Sequence, residues 1–179
     1  MTQTLQAPST RTSAVGDTAS RTRRVSLRDI ELFTEISGDR NPLHYDEDVA
    51  RRSRFGELIV QGGVTSGLLN AVVAEQLPGP GSVFLHVDWS FTAPVRPGDE
   101  ITAEVEVLSA REDKPITQLR TTVTRQDGVV ALEGTATVWC EPIRQSVTYR
   151  GGVLVLPGAP GIPLCEHASH RRMWTRRRR

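Results

Sequence analysis

The spacing of apolar residues changes character twice along the chain. Leu27, Ile30, Phe33 and Ile36 recur at helical intervals behind an S-x-x-D capping pattern at Ser26 and Asp29, which predicts a short helix ending at Gly38. The stretch "DEDVARRSRF" predicts a further turn of helix and then a loop. Val64 to Leu77 (VTSGLLNAVVAEQL) is apolar or small around nearly its whole circumference, with only Asn70, Glu75 and Gln76 strongly polar. A helix of that kind has to be surrounded by other parts of the protein. "PGPG", Pro78 to Gly81, cannot continue it.

Beyond that point the period falls to two. "SVFLHVDWSFT" places Val83, Leu85, Val87, Trp89 and Phe91 on one predicted face and Phe84, His86, Asp88 and Ser90 on the other. "ITAEVEVLSA", "ITQLRTTVTR" and "VALEGTATVW" predict three more strands, separated by "RPGDE", "REDKP" and the hairpin signature "QDGV". One enclosed helix followed by four long antiparallel strands is an α+β arrangement in which a curved sheet wraps a helix, the hot-dog fold. Four strands and one helix leave a sheet edge open, so a homodimer is predicted to cover it.

Charge divides the chain more sharply than hydropathy does. Residues 1–25 carry four Arg and one Asp, residues 144–179 eight Arg and one Glu, and together with the totals of 22 basic and 21 acidic residues this leaves 10 basic and 19 acidic in residues 26–143. The net charge of +1 is therefore a cancellation between basic ends and an acidic middle. Residues 1–25, mostly Thr, Ser, Arg, Ala and Gln, are read as a disordered arm, 26–143 as the hot-dog domain, and 144–179 as an irregular, Gly/Pro-dense basic extension. The Arg-rich "RRMWTRRRR" is read as a solvated terminus rather than a nucleic-acid site, because no folded element surrounds it. No apolar run reaches membrane-spanning length, and no secretory signal pattern is present. Cys140 and Cys165 have neither metal-ligand spacing nor disulfide-scaffold density, which fits a reducing cytoplasm.

Candidate chemistry lies in "SGDRNPLHYD", Ser37 to Asp46. Asn41-Pro42 forces a turn between Asp39 and His44, and a carboxylate beside an imidazole suits moving a proton to or from water near neutral pH. Taken alone, the pair is also compatible with an ordinary capped turn. The second feature is Gln61-Gly62-Gly63 at the start of the enclosed helix, where unpartnered N–H groups and the positive end of the helix dipole meet glycines that allow close approach. The Gly62 or Gly63 N–H can bind a developing oxyanion there, although glycines at that place also permit tight packing.

"SGDRNPLHYD" resembles the hydratase signature of the MaoC-like hot-dog enzymes, and "LIVQGGVTSGLL" resembles the helix start that follows it in that family. "LPGPGSVFL", "PVRPGDEITAEVEVL" and "REDKPI" bring the resemblance closest to the short (R)-specific enoyl-CoA hydratases, over roughly residues 27–140. The resemblance implies that Asp39 and His44 activate water for attack on Cβ and handle the proton for Cα. It implies that Asn41 supports the loop and that the Gly62 N–H polarises the thioester carbonyl, with Gly63 and Asn70 on the substrate side. It implies a thioester of coenzyme A or of an acyl carrier protein as substrate, and neither a metal nor a bound cofactor. The chain departs from the family at Gln61, where His is usual, and at Asn70, where some members carry a small hydroxyl residue. A dehydratase acting on carrier-protein thioesters, a thioesterase and a nucleic-acid module working through the tail are the alternatives.

Overall fold

The computed structural model describes residues 13–141, together with the backbone of three short strands further on. One compact unit of the chain is Thr12–Ile143. It contains, in order, β1 (Thr18–Arg24), α1 (Leu27–Ser37), a 3-10 turn (Pro42–His44), α2 (Glu47–Arg52), α3 (Gly62–Glu75), β2 (Ser82–Phe91), β3 (Glu100–Ala110), β4 (Ile116–Arg125) and β5 (Val130–Cys140). The strands form one antiparallel sheet in the order β1-β3-β4-β5-β2. The fold is the hot-dog fold, with α3 packed on the sheet.

Period-two alternation accounts for three of the strands. In β3, Ile101, Ala103, Val105 and Val107 are fully buried, and in β4 Leu119 and Val123 lie beneath α3, with Thr121 between them and Thr117 before them on the same buried face. The α3 side chains Leu68, Leu69, Val72 and Val73 meet this surface and complete a single core with Leu132, Ala136 and Val138 of β5. Each Leu, Ile or Val side chain removed from water contributes roughly 1.5–3 kcal/mol before entropy is counted.

The sheet has five strands rather than the four predicted, and the extra one corrects the reading of residues 1–25 as a disordered arm. Thr18–Arg24 pairs along its whole length with Glu106–Glu100 of β3, and the pairing extends upstream through Gly16 N–H to the Val107 carbonyl and Val107 N–H to the Asp17 carbonyl, both at 2.9 Å. Downstream, Val25 is fully buried and exchanges two main-chain hydrogen bonds with the Gly98-Asp99 turn. β1 has almost no apolar residues because it is an edge strand with both faces largely exposed. It is held by main-chain bonds and ion pairs, such as Arg21 to Glu75 of α3 at 2.6 Å, rather than by burial. Residues 1–12 lie outside the described residues.

β2 forms the opposite edge, and there the predicted faces are not those observed. A bulge between Phe84 and His86 shifts the register, so Phe84 and Trp89 turn toward the core and stack edge to face, with the Trp89 indole N–H donating to Thr121. Val83, Leu85, Val87 and Phe91 are left exposed along the outer edge of the sheet. His86 is exposed as well.

α1 is capped as predicted. Ser26 and Asp29 form a reciprocal capping box, and Gly38 closes the helix in the left-handed conformation (φ 77°). Its buried side, however, is Ile30 and Thr34, while Leu27 and Ile36 face solvent.

In the extension read as irregular, the backbone forms a small antiparallel ladder of β6 (Thr148–Arg150), β7 (Val153–Val155) and β8 (Ile162–Pro163). Cys165 and the Arg-rich run 171–179 lie outside the described residues. No helix among the described residues is long and apolar enough to cross a membrane.

Candidate active site

The loop after α1 is shaped by three side chains bonding nearby backbone. Ser37 Oγ accepts from Asp39 N–H at 3.1 Å, Asp39 Oδ1 accepts from Asn41 N–H at 3.0 Å, and Asn41 Oδ1 accepts from Leu43 N–H at 3.1 Å. These successive Asx-type turns, with Pro42 opening the 3-10 turn, fold the chain back on itself. Asn41 therefore sits where a loop-supporting residue belongs, as the cap of the turn that carries His44.

The fold-back brings His44 Nε2 to 3.6 Å from Asp39 Oδ2. His44 is 8% exposed, whereas the Asp39 side chain is 38% exposed, so the pair forms a buried imidazole with a carboxylate at its open side. His44 Nδ1 lies 2.8 Å from the Ile59 carbonyl. A carbonyl only accepts, so Nδ1 carries the hydrogen and the lone pair of the neutral ring is on Nε2, the nitrogen turned toward Asp39.

The same segment leads into α3. Ile59 N–H donates to the Leu43 carbonyl at 3.3 Å, Val60 N–H to the Val95 carbonyl at 2.8 Å, and Gln61 occupies the cap position of the helix. The Gly62 and Gly63 N–H groups, first in α3, donate to no acceptor among the described residues. Each glycine also has a packing reason. A Cβ at Gly63 would lie 2.1 Å from Phe33 Cζ, so only glycine lets α1 close against α3 there, and a Cβ at Gly62 would lie 3.0 Å from Phe91 Cε1.

Sequence reasoning named Gln61 only at the helix start and as a departure from the family, and it did not single out Thr34 or Tyr45, with which Gln61 forms a buried polar cluster behind this loop. Gln61, 2% exposed, donates through Nε2 to the Thr34 hydroxyl at 3.1 Å, with the Ile30 carbonyl at 3.4 Å. The Thr34 hydroxyl in turn donates to the Asp39 carbonyl at 2.6 Å and also meets the Tyr45 hydroxyl. Gln61 Oε1 is buried without a hydrogen-bond partner among the described residues. The loop bearing Asp39 and His44 is thus tied to residues 59–61 by several bonds, which places the helix start next to the carboxylate–imidazole pair.

Asn70 lies two turns further along α3 and is exposed. Two concavities, one lined by Leu27, Glu47, Arg51, Leu58 and Pro97 and the other by Asp88, Ser90, Arg120, Glu133 and Thr135, lie away from Asp39 and His44. The pair faces an open surface in a single chain. Among the described residues no group of three or more His, Cys, Asp and Glu side chains is placed to share a metal ion.

Comparison with known proteins converges on one family. Residues 11–129 match the model of the MaoC-like domain, a span that includes β1. The (R)-specific enoyl-CoA hydratase of Aeromonas caviae is 42% identical over 124 residues, 69% of this chain and 92% of that protein. The 3-hydroxybutyryl-CoA dehydratase of Methylorubrum extorquens is 41% identical over 124 residues, 69% of this chain and 78% of that protein. The solved structure of the (R)-hydratase from A. caviae involved in PHA biosynthesis superposes with a TM-score of 0.70 at 40% identity, covering 73% of this chain and 99% of that one.

Proposed function

The chain belongs to the MaoC-like domain family, and from that premise we propose that it is an (R)-specific enoyl-CoA hydratase, a hydro-lyase that reversibly adds water to trans-2-enoyl-CoA to give (3R)-hydroxyacyl-CoA. The observation that carries this reading is the pair itself. Asp39 Oδ2 and His44 Nε2 stand 3.6 Å apart, long for a direct hydrogen bond but short enough for both to accept from one water at ordinary lengths of about 2.8 Å.

In the mechanism this implies, Asp39 orients the water and the Nε2 lone pair takes its proton as the water oxygen bonds to Cβ. Charge moves onto the thioester oxygen, where the free Gly62 N–H at the positive end of α3 meets it. The enolate then collapses, Cα takes the proton from the His44 imidazolium, and the pair returns to its starting state. Water is consumed, one C–O and one C–H bond form, and nothing is oxidised. This reading assigns Gly63 and Asn70 to the acyl-thioester side, and the support for Gly63 is the close approach of Phe33 to the helix that it allows.

The working unit in this reading is a cytoplasmic homodimer. Its support is β2, an edge strand with Val83, Leu85, Val87 and Phe91 exposed, a combination that a solitary sheet edge avoids. A second copy would also give the open surface beside Asp39 a wall.

The test is hydration of crotonyl-CoA, followed by loss of the enoyl absorbance, in wild type, Asp39→Asn and His44→Gln. Positioned acid–base groups contribute about 10²–10⁴-fold, so both variants should fall by that amount while keeping wild-type circular dichroism and elution volume. Activity within threefold of wild type in either one contradicts the assignment. Faster turnover on an acyl-carrier-protein thioester would move the substrate from coenzyme A to the carrier protein.

A further inference from the structure

We propose that Thr34 is a positioning residue for the water-adding pair, with Gln61 and Tyr45 as its supports; the proposal rests on the hydratase reading above. Thr34 lies on the buried side of α1 and is 6% exposed. Its hydroxyl has one hydrogen and two lone pairs, and its surroundings use all three. The hydrogen goes to the Asp39 carbonyl at 2.6 Å, the amide Nε2–H of Gln61 comes in at 3.1 Å, and the Tyr45 hydroxyl supplies the remaining donor, its single hydrogen going to Thr34 in place of the more distant Ile30 carbonyl at 3.3 Å. Two donors feeding one donor in a buried site polarise one another in the same direction.

What this hub does follows from how Asp39 is otherwise held. Its other two hydrogen bonds, from its N–H to Ser37 Oγ and from Asn41 N–H to its carboxylate, are local to the loop and move with it. Thr34 connects Asp39 to α1 and, through Gln61, to the start of α3. His44 is anchored separately, through Nδ1, to the Ile59 carbonyl. Both members of the pair are therefore referenced to the same segment, residues 59–61, and the 3.6 Å between them depends on both anchors. Gln61 also leaves Oε1 buried without a partner among the described residues, a destabilising choice that an apolar residue would avoid. The amide is explained by what its other end holds.

The test compares Thr34→Val, which keeps shape and loses the hydroxyl, with Thr34→Ser, which keeps the hydroxyl and loses a buried methyl. Misplacing a reacting group by about 1 Å can cost on the order of 10²-fold, so Thr34→Val should lose roughly 10- to 100-fold in kcat with KM within about threefold. Thr34→Ser should recover kcat to within about threefold. Thr34→Val, which leaves the Asp39 carbonyl without the Thr34 donor, should also melt lower, so Val123→Ala, a core truncation in β4 that lowers the melt without touching Thr34, should keep kcat within about threefold. In parallel, hydrogen exchange over residues 38–46 should be at least about tenfold faster in Thr34→Val and near wild type in Thr34→Ser. Activity that follows melting temperature instead of the hydroxyl, or unchanged exchange and kcat in Thr34→Val, overturns the proposal. A wild-type protein that does not hydrate enoyl-CoA would overturn the hydratase reading, while the exchange comparison would still decide whether Thr34 anchors the loop.

Discussion

Replacing Gly62 with proline would remove one N–H from the start of α3 and disturb little else. Gly62 is the first residue of the helix, where proline's fixed φ is already suitable and its missing donor has no partner among the described residues. The preceding residue, Gln61, has ψ 145°, inside the range that a following proline requires. The new Cβ would meet the Phe91 ring at 3.0 Å, and that ring is 56% exposed and free to shift by a few tenths of an ångström. Reduced freedom of the unfolded chain stabilises by about 0.4–1 kcal/mol, which offsets a contact cost of similar size, so the melting temperature should stay within about 4 °C of wild type. Loss of one oxyanion donor costs about 10²–10³-fold in kcat, or roughly 2.7–4 kcal/mol. Gly62→Ala makes the same contact with Phe91 but keeps the N–H, so it should fall by no more than about tenfold. The assay is crotonyl-CoA hydration beside a thermal melt. A folded Gly62→Pro variant within threefold of wild type would refute the role given to this N–H, and equal losses in Gly62→Ala and Gly62→Pro would assign the effect to Phe91 instead.

Other perturbations test the frame around the site. Gly134 of β5 has φ 153°, and a Cβ there would lie 2.0 Å from the Asp88 carbonyl of β2, so Gly134→Ala should destabilise by about 2–5 kcal/mol, read by urea unfolding. For Asp29, burial would raise the carboxyl, but hydrogen bonds from the Ser26 N–H and hydroxyl and from Arg23 prevail and hold it below the ordinary carboxylate range. A depressed folded-state value contributes stability that is present above the unfolded value near pH 4 and lost as pH falls through the folded one. Asp29→Asn should therefore melt lower than wild type by an amount worth about 1 kcal/mol at pH 7, with the gap closing below about pH 4. Leu85→Lys with Val87→Lys places two charges on the exposed β2 edge and should leave single-chain stability nearly unchanged while converting the proposed dimer to monomer by light scattering.

Much of this architecture is legible in the sequence because each clear element rests on a local pattern. Ser26, Asp29 and Gly38 bracket α1 through capping chemistry, and the alternation in β3 and β4 reflects a sheet with one face against α3. β1 escapes because an edge strand exposed on both faces has no hydrophobic period to display, and its ladder bonds are made by backbone that any sequence possesses. The faces of β2 are misassigned because a single bulge at Leu85 exchanges them, and strict alternation has no means of signalling an extra residue. In the site, Asp39, Asn41 and His44 announce themselves through a dense polar turn. Thr34 does not, because a threonine beside an apolar helical stripe reads as flanking surface until Gln61 and Tyr45 arrive from distant positions to surround it. Its one sequence signal is the i,i+4 spacing from Ile30, the residue that is buried with it.

The central claim is water addition with defined stereochemistry, and it is tested most directly by incubating the purified wild-type protein with trans-2-butenoyl-CoA and resolving the products on a chiral column. The account predicts (3R)-hydroxybutyryl-CoA with the thioester intact. The (3S) product, release of free coenzyme A, or no hydration at all would contradict it.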